Sequence, residues 1–364
     1  MTLAIPNTHF DRPPTSDATE PPEAHGVARD GVKLLVAQPS GISHARFADL
    51  VGHLRPGDLL VVNNSATLPA AVDASRSGQP ITVHFSTPRD DHIWVVELRP
   101  ATATTGHLPD IRAGERIELP DGAALVVVSS YPESGVSGGR LWTARLAIDG
   151  DVMSYLARHG RPIRYFYVPR QWPLSDYQTV FARKPGSAEM ASAARPFSTE
   201  LVTSLVASGI TVAPITLHAG VSSAEAAEPP VPELFDVPLT TARLVNMTHA
   251  TGGRVVAVGT TVTRALESAA TIDGVVHAAD GWTDLVLGPN RPVRVVDGLI
   301  TGWHDAGASH LSLLEAVAGA DLVVTAYQEA VEHGYLWHEF GDSALFLPEL
   351  RTHVTPLEPA ISSL

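Results

Sequence analysis

Gly252-Gly253-Arg254-Val255-Val256-Ala257-Val258-Gly259-Thr260-Thr261-Val262-Thr263-Arg264-Ala265-Leu266-Glu267-Ser268 reads as a buried strand, a Gly-Thr-Thr turn and a helix. Val255–Val258 is apolar at every position, the pattern of a strand covered on both faces. A helix start carries free backbone N–H groups, and with the hydroxyls of Thr260 and Thr261 these suit a carboxylate, a phosphate or a ribose. A plainer reading fits the same residues: Thr260 or Thr261 caps the helix, and Arg264 with Glu267 forms an i,i+3 surface pair.

Outward from this unit, strands and helices keep alternating. On the N-terminal side, Gly31-Val-Lys-Leu-Leu-Val-Ala-Gln38 predicts a strand. Ser43 to Leu54 predicts a helix, with Phe47, Leu50, Val51 and Leu54 at helical spacing. A Pro56-Gly57 turn then leads to Asp58-Leu-Leu-Val-Val-Asn-Asn64, a strand ending in the polar Asn63, Asn64 and Ser65, where open α/β sheets keep ligands. From Asp151 onward, helices are expected at 151–160 and 198–210, the latter capped by Ser198 or Thr199, and a strand at 211–220 interrupted by Pro214. A strand then leads to Val296-Asp297-Gly298-Leu-Ile-Thr301, and two helices follow it. Between 66 and 150 the character changes to short strands separated by Gly, Pro and Asp, which reads as a barrel or sandwich. The expected fold is therefore an α/β (α+β) main domain, 31–65 plus 151–364, with a small all-β barrel inserted at 66–150. Residues 1–30, rich in Pro, Thr, Glu and Asp, read as an extended lead-in.

Composition narrows the function. No cysteine occurs, which removes disulfides, thiolate metal sites, iron–sulfur clusters and cysteine nucleophiles, and fits a reducing cytoplasm. There is no apolar run of bilayer length and no secretion signal, so a cytoplasmic protein with no membrane partner is expected. Net charge is −14 and only Lys33 and Lys184 are lysines, so a nucleic-acid partner needs a local basic face. One stretch offers it: Arg158 to Trp172, with Arg161, Arg164, Tyr165 and Arg170, joins phosphate-pairing guanidinium groups to rings that stack on unpaired bases. A helix end with dipole-favouring cations, followed by apolar packing, explains it equally well. The sixteen histidines lack metal-ligand spacing, His338-Glu339 lacks a second histidine, and nucleotide-loop and hydrolase-elbow motifs are missing. No metal or prosthetic group is expected. Two strand ends carry titratable groups: Thr216-Leu-His218-Ala-Gly220, and Asp297 to Asp305 with Thr301, Trp303 and His304.

Taken together, these segments resemble the S-adenosylmethionine:tRNA ribosyltransferase-isomerases of queuosine biosynthesis. The matches run in chain order: Phe47-Ala-Asp-Leu50 with Leu54-Arg-Pro-Gly-Asp-Leu-Leu-Val-Val-Asn-Asn64, Asp176-Tyr-Gln-Thr-Val-Phe-Ala182, Thr216–Gly220, Gly252–Ser268, Val296–Thr301, and Tyr335 through Asp342. The resemblance implies an α/β domain with an inserted barrel. It implies transfer and isomerisation of the ribosyl part of S-adenosylmethionine, a co-substrate, onto a 7-aminomethyl-7-deazaguanine in tRNA, giving epoxyqueuosine and releasing adenine and methionine. That chemistry needs a base beside the sulfonium and a site that excludes water. Proton-transfer candidates are His218, Glu233 and His304. Thr260, Thr261 and Arg264 would fix the ribose or the methionyl carboxylate, with Asp297 and Asp342 orienting neighbours. Asn63, Asn64, Tyr177, Gln178 and Thr179 are further binding candidates.

Departures from the family pattern cluster elsewhere. Pro196 stands at a histidine position, Pro230-Val-Pro-Glu233 keeps the glutamate of its motif but loses a histidine, and Thr301-Gly-Trp-His-Asp-Ala306 keeps His304. Tyr335-Leu-Trp337 loses an arginine, and Pro162 to Tyr167 replaces a proline-rich stretch. The kept strand ends suit the S-adenosylmethionine part and the altered segments the acceptor. Two alternatives share the fold: the same chemistry on a small-molecule or other nucleoside acceptor, and a non-catalytic S-adenosylmethionine-binding homologue.

Overall fold

The computed structural model describes residues 6–90, 92–101, 106–132, 139–221, 231–288 and 291–350. From residue 6 the lead-in is docked and carries short 3-10 turns at Pro14–Ser16, Pro22–His25 and Arg29–Gly31; Thr8 donates through its N–H and its hydroxyl to Glu315 Oε1, each at 2.8 Å. Further along, Trp337 N donates to Ser16 O at 2.8 Å.

Strand β1 (Lys33–Gln38) pairs antiparallel with β2 (Gly41–Arg46). Part of β2 lies where a helix is expected from Ser43. Its backbone groups complete the ladder of β1, and only Phe47–His53 turns as a 3-10 helix, burying Phe47 and Leu50. Sheet pairing overrides the local helical spacing. β3 (Leu59–Asn63) is buried throughout, and β4 (Ser65–Thr67) leads to the barrel.

The barrel strands are β5 (Ala71–Arg76), β6 (Gln79–Asp90), β7 (Ile93–Pro100), β8 (Arg116–Glu118), β9 (Ala124–Tyr131) and β10 (Leu141–Ala147). They run β5-β6-β7-β10-β9-β8, and the Ser75–Glu118 pair joins β8 back to β5. Among the described residues this pair closes the ring of strands. Helix α1 (Val152–His159) and β11 (Gly160–Arg161), placed in the main domain on sequence grounds, pack with the barrel instead. Val152, Tyr155 and Leu156 form one stripe of α1 and enter the barrel core, while Gly160 and Arg161 pair with Val72 and Ala71 of β5.

The main domain resumes with β12 (Lys184–Ser187), which pairs with β4, and α2 (Thr199–Ala207), whose cap Ser198 accepts from Leu201 N at 3.1 Å. β13 (Thr211–Leu217), β14 (Glu233–Val237), α3 (Leu239–Ala250), β15 (Val255–Val258), α4 (Thr260–Ser268) and β16 (Ala279–Thr283) follow. β17 (Gly298–Thr301), α5 (Ser309–Ala318), α6 (Ala320–Glu332) and β18 (Ser343–Phe346) complete the described chain. Nine strands form one mixed sheet, ordered β16-β14-β13-β3-β15-β17-β18-β1-β2. Pro214 does not interrupt β13: it lies opposite Val62, where β13 pairs only with β3, so its missing N–H breaks no ladder bond. Alternation along β3 explains its continuous apolar run. Leu59 and Val61 face the core under α4, α5 and α6, while Leu60 and Val62 face the core shared with α2. Among the described residues no single helix is long and apolar enough to cross a membrane.

Candidate active site

The strands β13, β3, β15 and β17 are parallel neighbours, so their carboxyl ends share one edge of the sheet. A cleft opens there between the sheet and the barrel. Gly259, Thr260, Thr261 and Arg264 line it from the β15–α4 joint, Thr301 and His304 from the end of β17, and His310 from α5. Glu233 enters from β14, Arg140 from the foot of β10, and Glu189 and Glu339 complete the wall.

The β15–α4 joint is built around Gly259, whose φ of +101° favours glycine. Gly259 is also the N-cap, so neither threonine caps the helix, and the leading end of α4 opens on the cleft without a side-chain cap. The positive end of the helix dipole and both threonines therefore lie at the cleft. The i,i+3 surface pair does not form either, because Arg264 and Glu267 are both buried with other partners. Arg264 donates through NH1 to Glu233 Oε2, through Nε to Leu285 O at 3.0 Å and through NH2 to Thr283 O at 3.2 Å. Glu233 Oε1 accepts from Gly220 N at 3.2 Å. Glu233 is thus a paired carboxylate that holds the end of β13 against α4. Its companion Pro230 lies outside the described residues.

His304 stacks on His310 with ring centroids 4.4 Å apart and planes at 2°. His304 Nε2 lies 3.1 Å from Thr301 Oγ1, and its backbone N donates to the Tyr327 hydroxyl at 3.2 Å. Burial, then His310 and His338, hold the His304 imidazole well below the usual histidine range. Desolvation of the imidazole, stacked on His304, and then the Arg264 charge bring His310 down to about 4, although the residue keeps a face open to the cleft. Both rings are therefore neutral at pH 7 and able to accept a proton. His218 stands beside the cleft, with Nδ1 2.7 Å from Ser65 Oγ, and burial and Lys184 lower its pKa.

The other sequence candidates hold the scaffold. Asn63 clamps β13, accepting from Leu217 N at 3.1 Å and donating to Leu217 O at 2.8 Å, and reaches Thr261 Oγ1 at 3.4 Å. Asn64 accepts from Thr216 Oγ1 at 2.8 Å. Asp297 accepts from Val255 N at 2.9 Å, and Asp342 from Lys33 N at 2.6 Å and Leu336 N at 2.8 Å. Gln178 brackets Thr67 through both amide atoms, Thr179 Oγ1 accepts from Phe181 N, and Tyr177 is buried against Phe340. In the basic stretch, Arg161 pairs with Asp73 and Arg170 with Glu20, while Arg164 donates to Val168 O and Tyr165 packs parallel to Tyr167.

Comparison with known proteins agrees with this geometry. Residues 6–346 match the family model described as queuosine biosynthesis protein. The chain belongs to the queuosine biosynthesis protein family. A Moorella thermoacetica relative named S-adenosylmethionine:tRNA ribosyltransferase-isomerase is 34% identical, covering 95% of this chain and all of the relative. A Symbiobacterium thermophilum relative of the same name is 35% identical with the same coverage. The crystal structure of S-adenosylmethionine tRNA ribosyltransferase from Thermotoga maritima covers 93% of this chain and 99% of its own, at TM-score 0.50 and 26% identity.

This family member also carries the cleft residues Arg140, Glu189 and His310, which the motifs do not single out, and Glu339, which the sequence offers only as half of a metal motif. His310 sits next to the quoted Thr301–Ala306 stretch, and Glu339 inside the Tyr335–Asp342 match, so proximity to the motifs was the usable signal. Arg140 offered none. It reaches the cleft through the barrel, where it bonds Glu97 at 3.0 Å. Burial opposes ionisation of Glu97, but His84, Arg140 and Arg99 outweigh it and hold the carboxyl down at about 2.

The histidine pair predicts a pH effect. Both groups have pKa values lowered on folding, so the unfolded chain binds their protons first, and stability present above about pH 6.5 falls as pH drops toward 4. His310 is open to the cleft, and water screening moderates its share. Urea midpoints measured from pH 7.5 to 4.5 are expected to decline through this window, less steeply in His310→Gln. An identical slope in the variant would remove His310 from the account.

Proposed function

We propose that the chain is an S-adenosylmethionine:tRNA ribosyltransferase-isomerase, moving and isomerising the ribosyl group of S-adenosylmethionine onto a 7-aminomethyl-7-deazaguanine in tRNA and releasing adenine and methionine. The observation that carries this reading is the full-length match to relatives so named, over 95% of this chain. Acting on tRNA, the enzyme would work in the cytoplasm.

The geometry supports roles for individual residues. The open N-terminus of α4, with Thr260 and Thr261, suits the methionyl carboxylate or ribose hydroxyls. Arg264 is held by Glu233 and two carbonyls, so it shapes the pocket and sets its potential rather than clamping ligand alone. His304 is the base best placed to take the proton beside the sulfonium. In the tautomer whose Nε2–H donates to Thr301 Oγ1, Nδ1 keeps the lone pair. A neutral imidazole serves here, since an imidazolium would repel the cationic co-substrate.

The test is incubation with S-adenosylmethionine and tRNA bearing the aminomethyl-deazaguanine, following adenine and methionine by chromatography. Release of both with the tRNA is expected. No release would sink the tRNA reading, and release driven by a small amine or nucleobase without tRNA would move the acceptor to a small molecule.

A further inference from the structure

The cleft wall contains a carboxyl that the fold does not use. Glu339 lines the cleft, and its Oε2 is buried without a hydrogen-bond partner, whereas Glu233 is tied to Arg264 and Glu97 to Arg140. Burying a carboxyl oxygen without a partner costs free energy, which a ligand that supplies the partner would recover. The charges around it define that ligand. Asp17 faces it from the N-terminal segment, and Tyr165, with which Glu189 also interacts, faces it from the stretch after β11. His304 and His310, both neutral at pH 7, share the cleft from the β17–α5 unit, and the cationic Arg140 is engaged with Glu97. No cation is paired with Glu339 among the described residues. With Asp17 tied to Arg12 at 2.6 Å, Glu233 to Arg264 and Glu97 to Arg140, the Glu339 carboxyl is left to a ligand, and it fits a cation that can donate hydrogen bonds.

Given the acceptor proposed above, on which this inference rests, we propose that Glu339 binds the acceptor as its primary alkylammonium and takes one of its protons. The N–H bond breaks, an O–H bond forms on the carboxylate, and the freed nitrogen lone pair makes the new N–C bond to the ribosyl carbon as that carbon's bond to its departing group breaks, the electron pair leaving with adenine or methionine, the two groups the reaction releases. The proton leaves to solvent when product departs. Burial pushes the Glu339 carboxyl up to about 7, with Asp17 adding to the rise and the residue's own backbone N–H opposing it. That brings it closer to an alkylammonium than an ordinary carboxylate stands, and improves it as a proton acceptor.

The test compares wild type with Glu339→Gln and Glu339→Asp in tRNA-dependent adenine release, with S-adenosylmethionine binding measured by calorimetry. Glu339→Gln is expected to lower kcat/KM for tRNA by about 100-fold, the scale of a lost proton-transfer group. Its S-adenosylmethionine affinity should hold within about twofold, well inside one tenfold step of affinity. Wild-type kcat/KM should rise with pH through about 7, and that limb should vanish in Glu339→Gln and persist in Glu339→Asp. Glu339→Gln with wild-type kcat/KM and an unchanged limb would overturn the proposal, as would loss of S-adenosylmethionine binding in both variants, which would make the residue structural. A wild-type enzyme inert toward the tRNA would instead overturn the proposed function.

Discussion

Replacing Arg264 with methionine is expected to destabilise the protein by about 3–5 kcal/mol, the cost of removing one partner from a buried ion pair. The side chains of Arg264 and Glu233 are only 9% and 11% exposed, so little water is at hand to replace the lost contacts. The substitution keeps most of the volume but strands the Glu233 carboxylate together with the carbonyls of Thr283 and Leu285. Urea unfolding measures the loss, and a change below about 1 kcal/mol would mean that cleft water substitutes for the guanidinium. Converting Glu233 to glutamine as well should recover part of it, because the uncompensated charge is gone. A second readout is local: without the Arg264 charge, the His310 pKa should rise, visible in its imidazole proton resonances.

Glu267→Ala is expected to cost a comparable amount for a different reason. Glu267 is fully buried, and its carboxylate accepts from Arg294 N at 2.8 Å, Val295 N at 2.8 Å and Val296 N at 3.1 Å. Each stranded amide costs about 1–3 kcal/mol, so a loss of at least about 3 kcal/mol follows. These amides position the chain just before β17, whose end carries His304 into the cleft. Glu267→Gln offers the control: its amide oxygen can still accept, so it should lose less than alanine. Equal losses in the two variants would show that packing, not amide capture, is the function of Glu267.

Glycine, threonine and histidine at the strand ends could be read from sequence because they mark where a fully apolar run stops, and parallel strands bring those stops to one edge. The Gly259 turn and the His304 loop both meet at the cleft by that rule. Asn63, Asp297 and Asp342 look the same in sequence as ligand-binding groups, yet each captures backbone N–H groups of a neighbouring segment. Residue type and strand-end position cannot separate those two uses. Only the identity of the atom opposite does.

For the Gly252–Ser268 unit itself, local physics determined the strand, the turn and the helix. Val255–Val258 is apolar on both faces, Gly259 takes a φ that other residues resist, and the sequence after it is helical. What α4 does with its charges was decided by tertiary structure. Spacing alone puts Arg264 and Glu267 within reach of each other on a helix surface. In the fold, Arg264 finds the Glu233 carboxylate 31 residues away and Glu267 finds three amides at 294–296. Buried charges take the partners that best replace lost hydration, and those partners arrive only when distant segments pack.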